Sequence, residues 1–144
     1  LRTFRQIAAL PISVTPERRG EIFLVTSRGS RRWIIPKGNP IRGLSPEEVA
    51  AQEAFEEAGL IGRVLPGCIG TFEFQRRKAG ETCLIDVYML LVEKHLHRWD
   101  EKRQRSVLRC DVATALSLVT SESLAALIRQ HAVPCRWEHP AAGL

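Results

Sequence analysis

The chain has 144 residues, a net charge of +5 and ordinary globular proportions of apolar and charged residues, 44% and 26%. That length fits one domain with a single core. No apolar run approaches the roughly 20 residues that span a bilayer, and no signal-peptide pattern opens the chain. Leu1 rather than Met comes first, so a preceding segment stays open.

Thr3 to Val14 and Glu21 to Thr26 read as strands joined by the turn Thr15-Pro16-Glu17-Arg18-Arg19-Gly20. Trp33-Ile34-Ile35-Pro36-Lys37-Gly38 is a short apolar run that ends in a glycine loop. A helix follows. Ser45 is its N-cap, Pro46 its first residue, Glu48 completes a capping box and Gly59 stops it. On this helix Ala51, Ala54, Phe55 and Ala58 are expected to form the apolar side, opposite Glu53, Glu56 and Glu57.

The three carboxylates share one face by their spacing. No Lys or Arg sits at helical spacing to relieve them, and the helix dipole disfavours anions near a C-terminus. Such a run is either a solvated acidic face or a cation site. The capped helix between two glycines favours the cation, and oxygen ligands with waters to spare suit Mg²⁺, with Mn²⁺ able to substitute.

Beyond the helix, Gly62 to Pro66 reads as extended. Thr71 to Arg76 and Thr82 to Val92 read as strands around the turn Lys78-Ala79-Gly80-Glu81. The long apolar run from Cys83 to Val92 suits a central strand buried on both faces. Trp99-Asp100-Glu101-Lys102 is a polar loop before a short strand near Ser106 to Arg109. Asp111 caps a helix through about Leu118, Ser121 caps another through about His131, and the tail after Val133 reads as poorly organised.

Cys68, Cys83, Cys110 and Cys135 form no CxxC pair. Two disulfides are formally open to them, but reduced thiols in a cytoplasmic protein fit a domain of this size better. His95, His97, His131 and His139 lack the paired spacing of a zinc site and read as surface or packed residues. The basic residues cluster. Arg28, Arg31, Arg32 and Lys37 bracket the approach to the acidic helix, Arg76-Arg77-Lys78 marks a hairpin, and Lys102, Arg103 and Arg105 follow the polar loop. Each cluster can be an exposed face or a grip on phosphate, for which Arg forks are well shaped.

The stretch from Gly38 to Leu60, GNPIRGLSPEEVAAQEAFEEAGL, resembles the Nudix box, G-x5-E-x7-R-E-U-x-E-E-x-G-U with U aliphatic. Gly38, Glu53, Glu56, Glu57, Gly59 and Leu60 match it, and WIIPKG is a lead-in of the kind Nudix proteins show. Leu44 stands where the family has its first Glu, and Gln52 where it has Arg. The resemblance implies a single Nudix domain over residues 1–144, an α/β/α sandwich with a mixed β-sheet between helices. It implies Mg²⁺-dependent hydrolysis of a diphosphate in a nucleoside-diphosphate-X compound, with Glu53, Glu56 and Glu57 as metal-binding and catalytic residues.

The lead-in and basic approach resemble the diphosphoinositol-polyphosphate and diadenosine-polyphosphate hydrolases within that family. By that resemblance Arg28, Arg32, Lys37 and Gly38 would contact substrate phosphates, and Glu101 is a candidate loop acid to stand in for Leu44. A rival is a non-catalytic module that binds a nucleotide or phosphorylated ligand, motivated by Leu44 and Gln52. A nucleic-acid binder is disfavoured, since no stretch interleaves aromatic and basic residues. The expected partner is a small phosphorylated molecule, with no membrane; the sequence leaves the oligomeric state open.

Overall fold

The computed structural model describes residues 2–29, 31–75 and 80–132. In chain order it has β1 (Arg2–Ser13), a 3-10 turn at Pro16–Arg18, β2 (Ile22–Thr26), β3 (Trp33–Ile34), β4 (Lys37–Gly38) and α1 (Pro46–Ala58). Then come β5 (Leu60–Val64), β6 (Gly70–Gln75), β7 (Glu81–His95), β8 (Val107–Cys110), α2 (Val112–Leu118) and α3 (Glu122–His131). The hairpin residues 76–79 and the tail from 133 lie outside the described residues.

The strands form one sheet in the order β3-β2-β1-β7-β5, with β4 on β1, β6 on β7 and β8 on β2. β1 and β7 run parallel from Arg2↔Glu81 to Ser13↔Val92, and the other pairs are antiparallel. The sheet is therefore mixed, as expected.

Alternation along β1 and β7 sorts their side chains onto two faces. Ile7, Ala9, Tyr88, Leu90 and Val92 pack with Val49, Ala50, Ala54 and Ala58 of α1. Ala8, Leu10, Ile12, Ile85, Val87 and Met89 pack with Ala115 of α2 and Leu124, Leu127 and Ile128 of α3. Both central strands read as continuous apolar runs because helices cover both sides. Burying each large aliphatic side chain contributes roughly 1.5–3 kcal/mol. The result is the expected helix–sheet–helix sandwich.

Three expectations need correction. β7 runs on to His95 because β5 pairs with its last turn of sheet, Leu60↔His95 and Ile61↔Lys94. For the same reason the extended piece after the helix is Leu60–Val64, starting directly at the helix stop, with a bulge between Ile61 and Gly62. On α1 the buried residues are Val49, Ala50, Ala54, Glu57 and Ala58, whereas Phe55 is 42% exposed. Small alanines let the helix lie close to the sheet, and at about 100° per residue Glu57 falls beside Ala50 and Ala54 while Phe55 turns away. The acidic stripe thus borders the buried face instead of opposing it.

Candidate active site at the end of helix α1

Helix α1 is fixed at both ends by local chemistry. The Ser45 hydroxyl accepts the Glu48 N–H at 3.1 Å, and the Glu48 carboxylate accepts the Ser45 N–H at 2.8 Å, with Pro46 at the first turn. A cap of this kind contributes about 1 kcal/mol. Gly59 takes the left-handed conformation, φ 67°, and donates its N–H to the Ala54 and Phe55 carbonyls.

Three further carbonyls at the helix end find partners in the loop between β7 and β8. Glu56 O accepts the Glu101 N–H at 3.1 Å, Glu57 O accepts Trp99 Nε1–H at 3.0 Å, and Gly59 O accepts the Leu96 N–H at 2.8 Å. A loop 40 or so residues downstream in sequence (Trp99 follows Glu57 by 42) therefore closes the helix. Close packing at this end of the helix gives both matched glycines of the 38–60 pattern a physical reason. A Cβ on Gly59 would run into the Trp99 ring, and a Cβ on Gly38 would run into the Glu53 carboxylate.

Four carboxylates gather here. Glu57 is 1% exposed, and its Oε1 is buried with no hydrogen-bond partner. Arg105 Nη1 stands 3.6 Å from that oxygen, too far for a hydrogen bond but close for two charges. Arg105 also donates from Nε to Glu101 Oε1 at 2.7 Å and from Nη1 to the Thr26 carbonyl at 3.1 Å. Glu53 and Glu57 stand side by side, where a proton held by one can bond to the other. Burial raises the pKa of Glu53, helped by the charges of Glu56 and Glu101. Burial, above all, pushes Glu57 up to about 9, reinforced by the Glu53 hydrogen bond and opposed by Arg105.

The donor set fits a hard divalent cation. An orphaned buried carboxylate oxygen beside mutually repelling carboxylates is what such an ion would relieve. Among the described residues the cluster is not a ready-made cage of three ligands. Glu56 is turned towards Gln52, whose Nε2 lies 3.4 and 3.5 Å from its two oxygens.

The basic residues divide. Arg32 and Lys37 converge on the ring of Phe74, 4.4 and 4.7 Å from its centroid. Lys37 Nζ donates to Gln6 Oε1 at 2.8 Å, and Gln6 Nε2 donates to Asn39 Oδ1 at 3.1 Å. Consecutive strand residues face opposite sides, so Lys37 turns to this group while Gly38 turns to Glu53. Arg32, Phe74, Gln75 and Ser121 line a cleft of about 120 Å³. Arg28 is exposed in the β2–β3 turn.

Leu44 packs against the apolar cluster under α1 and so offers nothing to the site. Trp99 and Arg105 were legible only as a polar loop and a basic cluster. The one local signal for Arg105 is its spacing of four residues from Glu101. His95 is packed between Phe23 and Trp99, with ring centroids 5.2 and 5.4 Å away. Cys68, Cys83 and Cys110 are free thiols, and Cys135 lies outside the described residues.

The profile of the NUDIX domain matches residues 5–134. Diphosphoinositol polyphosphate phosphohydrolase 3-beta of Bos taurus is 39% identical over 90 residues, which are 59% of this chain and 50% of that protein. Nudix hydrolase 18, mitochondrial, of Arabidopsis thaliana is 30% identical over 95 residues, 65% of this chain and 53% of that protein. The chain spans about half the length of the curated relatives it matches. The structure superimposes on a C. elegans Ap4A hydrolase binary complex with a TM-score of 0.67, covering 98% of this chain and 99% of that one at 16% identity. That likeness concerns the fold alone. With a profile match across nearly its whole length, the chain belongs to the NUDIX domain family.

Proposed function

We propose that this domain is a hydrolase that cleaves a diphosphate linkage in a small, densely phosphorylated compound: a nucleoside diphosphate linked to another group, a dinucleoside polyphosphate or a diphosphoinositol polyphosphate. The observation that carries the reading is the convergence of Glu53, Glu56, Glu57 and Glu101 at one end of α1, with a buried carboxylate oxygen left without a hydrogen bond. Relatives named for diphosphoinositol polyphosphate hydrolysis support the choice of substrate class.

Glu53, Glu56 and Glu57 would hold Mg²⁺, with Mn²⁺ able to substitute. Bound there, the ion would neutralise phosphate charge and acidify water. The chain's own residues do the rest. Gly38 lets the Glu53 carboxylate lie against the backbone. Arg32 and Lys37, held over Phe74, offer cations to a phosphate at the neighbouring sheet edge, and exposed Arg28 can join them. With Leu44 in the apolar cluster, Glu53 or Glu101 is left to accept the proton of the attacking water. Three free thiols agree with a reducing compartment such as the cytoplasm.

The second reading is a non-catalytic module that binds the same ligands, favoured by Leu44, which packs on the apolar cluster where the family pattern has a carboxylate. One experiment separates them. A panel of diphosphate compounds is incubated with the protein and Mg²⁺, and product release is measured for each. Cleavage of at least one compound is expected; binding without cleavage across the panel would leave only the module.

A further inference from the structure

The 38–60 segment lacks two charged residues of its family pattern, and the structure holds a bonded pair of the same two types against the end of the helix in that segment. Glu101 and Arg105 lie four residues apart and meet at 2.7 Å. Neither is a solvated surface charge, since the Arg105 side chain is 11% exposed and that of Glu101 22%. The guanidinium spends its donors in three directions, on Glu101, towards the buried Glu57 Oε1 and on the Thr26 carbonyl at the end of β2. A planar fork anchored to sheet backbone holds its partners in a way a flexible ammonium does not.

We propose that Arg105 is the positioning residue of the carboxylate cluster: anchored on Thr26, it fixes Glu101 against Glu57 and supplies from the β7–β8 loop the cation that the 38–60 segment lacks. The inference rests on the hydrolase reading and deepens it. Position 52 cannot do this work from where it stands. Gln52 reaches Glu56, its neighbour one helical turn on, and not Glu57. Leu44, the other departure, is committed to the apolar cluster. The loop is also docked independently of Arg105, by Trp99 and by the Glu101 N–H on the helix carbonyls. Losing the guanidinium therefore frees the Glu101 side chain while the loop backbone keeps its seat.

The test is a double-mutant cycle on the whole chain with Glu101→Gln, Arg105→Gln and the pair, plus Arg105→Lys. Turnover of a dinucleoside polyphosphate with Mg²⁺ is read as kcat and KM, and urea midpoints are read separately in chelator. Arg105→Gln is expected to lower kcat about 10–100-fold, the usual cost of removing a supporting partner, with KM nearly unchanged. In the Glu101→Gln background the same change is expected to cost little more, because the group it positions is already gone. Arg105→Lys should keep the wild-type urea midpoint and fall between wild type and Arg105→Gln in kcat.

Losses that multiply instead of overlapping, or an unchanged kcat in Arg105→Gln, overturn the proposal. If Arg105→Gln does not fold, Arg105→Lys decides it, and wild-type kcat in that variant overturns it. Should the wild-type protein cleave nothing, the hydrolase reading fails, and the urea cycle alone then judges Arg105. Coupled midpoints support its hold on Glu101, and additive ones remove it.

Discussion

Helix α1 and the loop between β7 and β8 bring carboxylates to the same site, but they are held there by different kinds of information. The helix is written locally. Ser45, Pro46 and Glu48 start it, Gly59 ends it, and each signal acts within five residues. The loop has no such grammar. Trp99, Glu101 and Arg105 take their places because α1 offers open carbonyls and a buried carboxylate to meet, and because the Thr26 carbonyl anchors Arg105. One site is thus half autonomous and half conditional, and substitutions on the two sides should fail differently.

The largest effect is expected on the autonomous side. Glu53→Gln should lower turnover about 10²–10⁴-fold, the usual loss for a general base, without changing the urea midpoint by much. A variant with near wild-type kcat would move the essential chemistry out of the helix and into the loop.

The next prediction concerns pH. Glu57 holds its proton up to about 9 in the folded protein, while in the unfolded chain it titrates near the ordinary 4.5. Between those values the folded state binds the extra proton, so raising pH must favour unfolding. In chelator, the contribution of Glu57 is full below 4.5 and is lost as pH rises towards about 9. Wild type should therefore lose Tm across that window more steeply than Glu57→Gln, and added Mg²⁺ should restore most at high pH. Parallel Tm curves for the two proteins would show that Glu57 does not carry the proton.

Gly59→Ala strikes the joint between the two regions. The left-handed φ of 67° strains any side chain, and the new Cβ would meet the Trp99 ring. A loss of about 1–3 kcal/mol in stability is expected. Trp99 emission should report it, with the indole moving into water. An unchanged spectrum would mean that the helix end yields and the loop stays.

Gln52→Arg is the smallest test. It puts a guanidinium one turn from half-buried Glu56, worth about 0.3–0.5 kcal/mol as an i,i+4 pair. Because position 52 does not face Glu57, the acidic limb of the pH–rate profile should stay where it is. A shift to lower pH would show that position 52 acts on the buried pair after all.

Much of the frame was legible because its signals are short-range. The caps at Ser45, Asp111 and Ser121 gave helix starts that the structure reproduces, and the apolar run from Cys83 to Val92 gave a doubly covered strand. What stayed hidden depends on partners distant in sequence. The parallel pairing of β1 with β7 leaves no trace in either strand. The extension of β7 to His95 follows from β5, and the burial of Glu57 in place of Phe55 follows from how α1 rolls onto the sheet. Arg105 was one of three basic residues after a polar loop, and only the fold singles it out.

The long parallel ladder between β1 and β7 has a consequence for how the chain assembles. Every residue of β1 waits for a partner 79 positions later, from Arg2 with Glu81 to Ser13 with Val92. Closing so long a loop costs entropy before any of the ladder's bonds repay it, and such contacts slow folding. During synthesis β1 emerges with a bare edge that stays unpaired until residue 92 has left the ribosome. The apolar stretch from Ile7 to Ile12, buried in the finished fold, is therefore open to wrong partners until β7 is made.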